Sequence, residues 1–392
     1  MKTIDCNKAF TCESKGWSCR VFHKEKDAPG IYRLVVFNDT WEVELLPSKG
    51  FSVGQVLYRN QALFWEAPTS LIDPDRLDLN DDSVRIEGEP APGFSFLKTF
   101  ASGIELYGMR NWGMPHTDPQ SGQLLPLHGE SSNIPVAEAS MELLEDHAWI
   151  SASFIYRSFK GDPRTVWHQR GEKLFEITRT IKIPRENGKL EISDRIENLT
   201  DTPLVPDWGY HITFRPEEGD KLILPSRQRA NRDGGELPKD VESWIPAKDE
   251  GIRTETGFLH KGLLLYEASE GPFQGNTRAL YKRSNPQALP KGILLSFPLA
   301  PYTQCWSCSG GAGSREFTLA SDQPLFEKSW NGLGLEIGAS ALDHDGNTDS
   351  AVSYEGRLHP GESLTIPLGL EMLEAEETER LEKEIRSYID KE

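Results

Sequence analysis

The chain has 392 residues, of which 61 are acidic and 43 basic, and its formal net charge is −18 at pH 7. This balance argues against nucleic acid, whose phosphates are bound by basic side chains, and against an anionic membrane surface. No apolar run approaches the roughly 18 residues of a membrane-spanning helix, and the first residues lack the apolar stretch of a signal peptide, so we expect a cytoplasmic protein.

The five cysteines fit a reducing compartment, because their number is odd and their spacing forms no disulfide framework. Cys305 and Cys308 form a single C-x-x-C motif without a second pair, which favours two ordinary buried thiols over a zinc or redox site. The sequence also contains no Walker loop, no G-x-G-x-x-G that opens a helix after a strand, and no nucleophile elbow. We therefore expect neither a metal nor a cofactor.

Short alternating or apolar runs, separated by turn residues, predict strands along most of the chain. These runs lie at 31–46 (a hairpin around Asn38-Asp39), 51–58, 148–157, 172–183, 189–198, 207–214, 262–267, 279–282, 292–298, 315–319, 332–339, 350–356 and 363–370. Segments rich in proline, glycine and charge are predicted to be excursions over this β body, at 66–95, 215–257 and 268–290. A terminal helix is predicted over 371–391, where apolar residues recur at helical spacing. No alternation of strand and long helix recurs, so an all-β fold is favoured over a doubly wound α/β sheet.

The hairpin at 172–198 turns at Asn187-Gly188 and carries two matching apolar faces. Arg179 and Asp194 interrupt these faces at compatible heights. They lie directly opposite if Ile183 pairs with Leu190, and diagonally in a tighter register. Buried charges are tolerated only when paired, so an internal ion pair is favoured over substrate binding by Arg179.

Residues 332–339 alternate between an apolar face and a face that carries Glu336 among glycines. Glycine weakens a strand unless something must approach the backbone closely, so this face could be a ligand floor with one catalytic carboxylate. The alternative is an ordinary solvent-facing glutamate on an edge strand.

Residues 206–214 follow the same logic, with Trp208, Tyr210, Ile212 and Phe214 on the core face and His211 beside Gly209 on the other. An isolated histidine is more often structural. Imidazole nevertheless titrates near neutrality, which suits proton transfer, and the small polar neighbours of His211 favour a role of this kind.

A third stretch, 103–135, is predicted to be a loop rich in glycine and proline. It contains Arg110, Trp112, His116 and His128. Sugars present hydroxyl edges and apolar faces, and their sites combine polar donors with aromatic rings. A sugar-binding loop and an ordered surface loop remain open alternatives. Metal binding by the histidines has no local ligand spacing to support it.

These stretches resemble the aldose 1-epimerase (galactose mutarotase-like) superfamily, and most closely a poorly characterised bacterial branch of it. The resemblance covers residues 30–370 and lies in motifs that follow one another in the order of that superfamily: Ser48–Phe51 with Phe64-Trp65, Leu127-His128-Gly129, Tyr210-His211 and Gly334-Leu335-Glu336. It implies one domain over 1–392, a large twisted antiparallel β-sandwich with a C-terminal helix at 371–391.

The resemblance also implies an isomerase of carbohydrate metabolism that interconverts the anomers of a monosaccharide or of an acidic or modified sugar. Glu336 would be the general base, His211 the general acid, and His128 a substrate ligand, joined by Arg110, Trp112, His116, Trp65 and Asn133. Better-known mutarotases carry an early Asn-Arg pair that grips the sugar, whereas Arg59-Asn60 and Arg110-Asn111 both have the reverse order. Arg110 is favoured because it precedes Trp112 and the His128 loop, and the second substrate-binding acid of those enzymes has no clear counterpart. The expected partner is a small sugar, and the expected assembly a monomer or homodimer. The alternative function is a non-catalytic carbohydrate-binding or sensing protein on the same fold.

Overall fold

The computed structural model describes residues 1–66, 70–78, 81, 83–86, 88–118, 122–226, 229–231, 253–254, 257–258, 263–267, 271–273, 276–298, 304–309, 317–319, 332–339 and 357–390. The strands in these ranges are β1 (Lys2–Asp5), β2 (Phe10–Ser14), β3 (Trp17–Phe22), β4 (Arg33–Phe37), β5 (Trp41–Leu46), β6 (Ser52–Tyr58), β7 (Gln61–Ala62), β8 (Val84–Ile86), β9 (Glu89–Pro90), β10 (Ile104–Met109), β11 (His116–Thr117), β12 (Leu124–Leu125), β13 (Glu138–Leu143), β14 (His147–Arg157), β15 (Lys173–Pro184), β16 (Lys189–Asn198), β17 (Asp207–Phe214), β18 (Lys221–Ile223), β19 (Arg229–Asn231), β20 (Arg253–Thr254), β21 (Gly257–Phe258), β22 (Leu263–Glu267), β23 (Asn276–Lys282), β24 (Gly292–Pro298), β25 (Gln304–Ser309), β26 (Phe317–Leu319), β27 (Leu333–Ala339) and β28 (Ser363–Leu373). The α-helices in the same ranges are α1 (Ser95–Thr99) and α2 (Ala375–Ile389). Single 3₁₀ turns lie at Pro74–Arg76, Ser131–Asn133 and Trp167–Gln169.

Two large antiparallel sheets face each other. The nine-stranded sheet has the order β1-β13-β14-β15-β16-β28-β24-β23-β18, and the twelve-stranded sheet has the order β19-β22-β25-β27-β17-β10-β6-β5-β4-β3-β2, with β7 beside β6. One apolar cluster lies between them and takes Ile177 and Ile192 from the first sheet and Val43, Tyr210 and Ile337 from the second. The predicted all-β sandwich with a C-terminal helix is therefore confirmed.

The hairpin β15–β16 adopts the register that places Arg179 opposite Asp194. Both side chains are fully buried, and the guanidinium makes two hydrogen bonds of 2.8 Å to the carboxylate. Arg179 also donates to the Phe51 carbonyl, and the Tyr210 hydroxyl donates to Asp194. The favoured interpretation, an internal ion pair, is confirmed, and this pair joins the two sheets.

The structure differs from the prediction in several segments. The terminal helix begins at Ala375 rather than 371, because strand β28 continues to Leu373 and pairs with β24. The N-terminal residues before 30 form β1, β2 and β3 and extend both sheets. The first part of the predicted loop 103–135 is the strand β10, which lies between β17 and β6. The strand predicted at 350–356 lies outside the described residues.

None of the helices in the described ranges is long and apolar enough to cross a membrane.

Candidate active site

Three neighbouring strands of the twelve-stranded sheet bring Glu105, His211 and Glu336 into one row. His211 on β17 is the register partner of Glu105 on β10 and of Glu336 on β27. Directly opposite residues of an antiparallel pair point to the same face, so all three side chains lie on one face of the sheet. Tyr210 and Ile337, one residue along, point into the sandwich core. The alternation predicted for 206–214 and 332–339 is confirmed.

His211 and Glu336 form the centre of this face. The His211 Nε2 atom lies 3.6 Å from Glu336 Oε1, and the two residues are only 4% and 3% exposed. On the far side of the ring, Nδ1 lies 3.0 Å from the Thr213 hydroxyl. The Tyr107 hydroxyl donates to Glu336 Oε2 at 3.4 Å. A carboxylate and an imidazole thus lie side by side, each oriented by a hydroxyl group on the same face.

His128 approaches the pair from the connection that follows β12. Its backbone takes a left-handed φ of 56°, and the next residue, Gly129, has a φ of 70°. A Cβ on Gly129 would overlap the Gly108 carbonyl oxygen, so this tight approach to β10 needs glycine. The His128 Nδ1 atom lies 2.8 Å from the Trp112 carbonyl oxygen. Since a carbonyl only accepts, Nδ1 carries the proton, and neutral His128 has Nε2 as its acceptor nitrogen.

Aromatic rings enclose the two histidines. The His128 and His211 ring centroids are 6.0 Å apart, and Tyr107 lies 4.7 Å from His128. Phe96 on α1 meets the His128 ring edge-on at 4.7 Å, and Phe100 meets the His211 ring at 4.8 Å. Charges act on one another more strongly in such a buried, low-dielectric setting than in water.

Trp112 occupies the space that the glycines leave on the sheet. A Cβ on Gly209 or on Gly338 would overlap the indole nitrogen of Trp112. The indole is fully buried and stacks on Tyr107, with the ring centroids 5.9 Å apart. The face of 332–339 that includes Gly338 was interpreted as a cleared floor for a ligand. The structure shows instead that Gly338, together with Gly209 on β17, makes room for the Trp112 side chain beside Glu336.

Trp65 lies one layer further from the row. Its ring stacks on Phe100 at 5.4 Å and belongs to the same apolar cluster as Phe96. Its backbone amide donates to the Thr213 carbonyl, which ties the segment to the end of β17. Trp65 therefore supports the ring that contacts His211.

Arg110 is held by a buried network that reaches the opposite sheet. Its guanidinium donates to Glu130 at 2.6 Å, to the Tyr156 hydroxyl at 3.2 Å and to Gln123 at 3.1 Å. The Tyr156 hydroxyl, on β14, donates to the second oxygen of Glu130. Burial disfavours the charged guanidinium, but Tyr156 and Glu130 outweigh this effect and raise the pKa of Arg110. Glu130 directly follows the His128–Gly129 turn in sequence. The Arg110–Glu130 contact therefore connects Arg110 to this turn.

His116 lies on the short strand β11, where its Nδ1 atom is 3.2 Å from the Met114 carbonyl oxygen. Its described contacts are with its own loop. Asn111, beside Arg110, donates to the carbonyl oxygens of Met114 and Pro126 and so organises this loop from within.

Asn133 contacts Lys49, which forms a buried ion pair with Glu105 that the sequence analysis did not predict. Its side-chain oxygen accepts from Lys49 Nζ at 2.9 Å, and the same ammonium lies 3.0 Å from Glu105 Oε1. Burial lowers the pKa of Lys49, against the opposing effect of Glu105. The sequence did contain a signal for Glu105. Residues 103–107 alternate between one face with Gly103, Glu105 and Tyr107 and an apolar face with Ile104 and Leu106. This is the pattern that located His211 and Glu336.

Within the described part of the chain, no cluster of three or more His, Cys, Asp or Glu side chains is arranged to hold a metal ion. The arrangement offers hydrogen-bonding and proton-transfer groups.

A family model described as "Domain of unknown function (DUF4432)" matches residues 29–251. The chain belongs to the DUF4432 family. No curated protein matches this DUF4432 chain in sequence.

Solved structures resemble this DUF4432 protein over nearly its whole length. A Klebsiella pneumoniae protein provisionally named an aldose 1-epimerase has a TM-score of 0.72 at 16% identity, over 99% of this chain and 96% of that one. A galactose mutarotase-like protein from Clostridium acetobutylicum has a TM-score of 0.53 at 12% identity, over 91% of this chain and 98% of that one. A Salmonella typhimurium protein provisionally named a mutarotase has a TM-score of 0.54 at 9% identity, over 94% of this chain and 98% of that one. At these identities the likeness shows the fold, and the predicted galactose mutarotase-like sandwich is confirmed.

Proposed function

We propose that this DUF4432 protein is an aldose 1-epimerase-like isomerase that interconverts the anomers of a sugar. The observation that supports this most directly is the pairing of His211 with Glu336 across adjacent strands, 3.6 Å apart on one buried face. Anomer exchange needs one group that removes a proton from the anomeric hydroxyl and one that delivers a proton to the ring oxygen. Both oxygens are bonded to the same carbon, so an acid and a base at this spacing suit a single hemiacetal.

In the proposed reaction, the Glu336 carboxylate removes the proton from the anomeric hydroxyl. The C1–O1 bond becomes a carbonyl as the C1–O5 bond breaks, and protonated His211 gives its proton to O5. Rotation about C1–C2 turns the other face of the carbonyl toward O5. The reverse transfers then close the ring as the other anomer and restore both side chains.

The surroundings of the pair support these roles. The His211 Nε2 atom lies 3.6 Å from Glu336 Oε1, so both groups can reach one hemiacetal. The Tyr107 hydroxyl steadies Glu336 from the same face. His128 Nδ1–H donates a hydrogen bond to the Trp112 carbonyl, so Nε2 would accept a hydrogen bond from a sugar hydroxyl. Phe96 and Phe100 would cover the apolar face of the ring and limit exchange with water.

The test is saturation-transfer NMR of anomer exchange, across a panel of neutral aldoses, uronates and phosphorylated sugars. We expect the wild-type protein to accelerate exchange of at least one sugar. Glu336→Gln and His211→Asn should each lower that acceleration by about 100- to 10,000-fold, the range for a general acid or base. Glu44→Gln is a matched control, since Glu44 is a buried carboxylate on β5 of the same sheet, paired with Lys24 and Arg33.

Acceleration of no sugar in the panel would refute the enzymatic function. Saturable binding of a sugar without faster exchange would instead identify a carbohydrate-binding protein. Full activity in Glu336→Gln or His211→Asn, in protein that keeps its circular dichroism spectrum, would refute the assigned roles.

A further inference from the structure

Glu105 lies beside His211 on the face that carries Glu336, so His211 is flanked by a carboxylate on each neighbouring strand. Glu105 is fully buried. The proposed mechanism assigns it no role, although cross-strand partners have Cβ atoms only about 5 Å apart. The side chain is therefore within reach of a ligand held by His211.

The two oxygens of Glu105 have different surroundings. Oε1 accepts from Lys49 Nζ and from the Ser102 hydroxyl, each at 3.0 Å. Oε2 is equally buried, and among the residues that the structure describes it has no hydrogen-bond donor. A buried acceptor without a donor is unfavourable, and more so when it is charged.

The other buried carboxylates of this fold show what a purely structural pair looks like. Asp194 uses both oxygens, one for Arg179 Nε and the other for Arg179 Nη2 and the Tyr210 hydroxyl. Glu44 likewise pairs Oε1 with Lys24 and Oε2 with Arg33. Glu105 differs, because only its Oε1 side is saturated.

Lys49 gives the pair a defined electrostatic character. Its ammonium is 3% exposed and is shared between Glu105 and Asn133, on the side of Phe96. The Lys49 ammonium therefore interacts with protein groups, and the atom that remains available to a ligand is the carboxylate oxygen Glu105 Oε2. Such an atom accepts a hydrogen bond from a neutral hydroxyl and repels a carboxylate or phosphate.

We propose that Glu105, held by Lys49 and Ser102, binds a hydroxyl of the sugar close to the reacting carbon and so selects sugars that carry a free hydroxyl there. This inference rests on the proposed function and names a specificity residue for it. Glu105 Oε2 accepts the hydroxyl proton, while His211 and Glu336 act on the hemiacetal. A deoxy sugar, or one with an anionic substituent at that carbon, leaves the carboxylate without a donor or opposes it with like charge.

The experiment takes the neutral aldose whose anomer exchange the wild-type protein accelerates most and compares its kcat/KM with that of each of its deoxy forms. For the wild-type protein we expect one deoxy position to lower kcat/KM by about tenfold or more, the value of one hydrogen bond to a charged group. In Glu105→Gln, the amide oxygen faces the two donors Lys49 and Ser102, so the amide NH₂ replaces Oε2. Compared with the wild-type protein, Glu105→Gln should then have a kcat/KM for the parent sugar that is lower by most of that factor. Its kcat/KM for the same deoxy sugar should be nearly that of the wild-type protein.

A contact between Glu105 and the ligand predicts that the substitution changes kcat/KM for the parent sugar but not for the deoxy sugar. A purely structural role of Glu105 would instead lower kcat/KM for every sugar by one common factor. Glu44→Gln serves as the control and should keep the full wild-type discrimination. Equal kcat/KM for all deoxy sugars with the wild-type protein would overturn the proposal without any variant. Unchanged discrimination in folded Glu105→Gln would overturn it as well. Both outcomes require measurable exchange by the wild-type protein, so they differ from failure of the proposed function.

Discussion

Substituting Gly338 by alanine tests the packing of the candidate site. In the structure, the added Cβ would lie 2.7 Å from Trp112 Cε2 and 2.9 Å from the Trp208 carbonyl oxygen, and it would overlap the Trp112 indole nitrogen. Ordinary van der Waals contacts begin near 3.4 Å. Trp112 is fully buried, and the other obstacle is backbone, so neither can move aside easily.

We expect Gly338→Ala to cost about 1–3 kcal/mol, the range for an overpacked core, and to lower Tm by roughly 2–6 °C. The damage should also reach the proposed reaction, since the carbonyl of Trp112 orients His128. Differential scanning calorimetry and circular dichroism measure the stability, and NMR exchange measures the activity.

The double variant with Trp112→Leu supplies the internal control. Trp112→Leu alone should destabilise the protein by leaving a cavity, by about 2–4 kcal/mol. If the indole is what Gly338 accommodates, the smaller side chain relieves the overlap, and the double variant costs less than the sum of the single variants by about 1 kcal/mol or more. Strict additivity, or a Gly338→Ala protein as stable as wild type, would refute this account of the glycines.

Three further outcomes follow from the buried polar groups. Arg179→Met should cost about 3–5 kcal/mol in thermal unfolding because it strands the Asp194 carboxylate, and the double variant with Asp194→Leu should recover part of that loss. Tyr156→Phe removes the hydroxyl that donates to Glu130, two residues after His128. It should raise KM for anomer exchange while changing Tm only a little, and an unchanged KM would contradict this. Burial opposes ionisation of Asp27, but its hydrogen bonds outweigh this and lower its folded-state pKa below 3.8. Its contribution is therefore full above pH 4 and is lost as pH falls further, so Asp27→Asn should flatten the acid limb of stability against pH.

Local alternation in the sequence was enough to predict the longest strands, among them β14 to β17 and β28, and two of the three residues in the central row. The strand at 207–214 was predicted with its observed bounds, and the face of His211 followed from it. The face of Glu336 followed from the alternation of 332–339. What alternation cannot supply is the register between distant strands. That β10 pairs with β17, and thus that Glu105 lies opposite His211, depends on contacts about 100 residues apart in sequence.

The errors have local physical causes. Strand β10 ends at Gly108 and Met109, both with positive φ, and runs directly into a loop rich in glycine and proline, so the strand signal was lost in the loop composition. The hairpin β2–β3 turns at Lys15-Gly16, both with positive φ. Lysine at such a position is not a usual turn signal, and the hairpin was missed.

Trp112 contacts three of the motifs that carry the family resemblance, those of His128, His211 and Glu336, and sequence order alone does not reveal this. Its indole fills the space above Gly209, next to His211, and above Gly338, next to Glu336. Its carbonyl fixes the Nδ1 proton of His128. The glycines on β17 and β27 therefore set the position of Trp112, and Trp112 in turn sets the tautomer and placement of His128. A bulkier residue at either glycine should act on the His128 interaction with substrate while leaving the Glu336–His211 register intact. Sugar affinity should then fall before proton transfer does, and NMR titration of the His128 ring nitrogens in Gly209→Ala would detect this displacement directly.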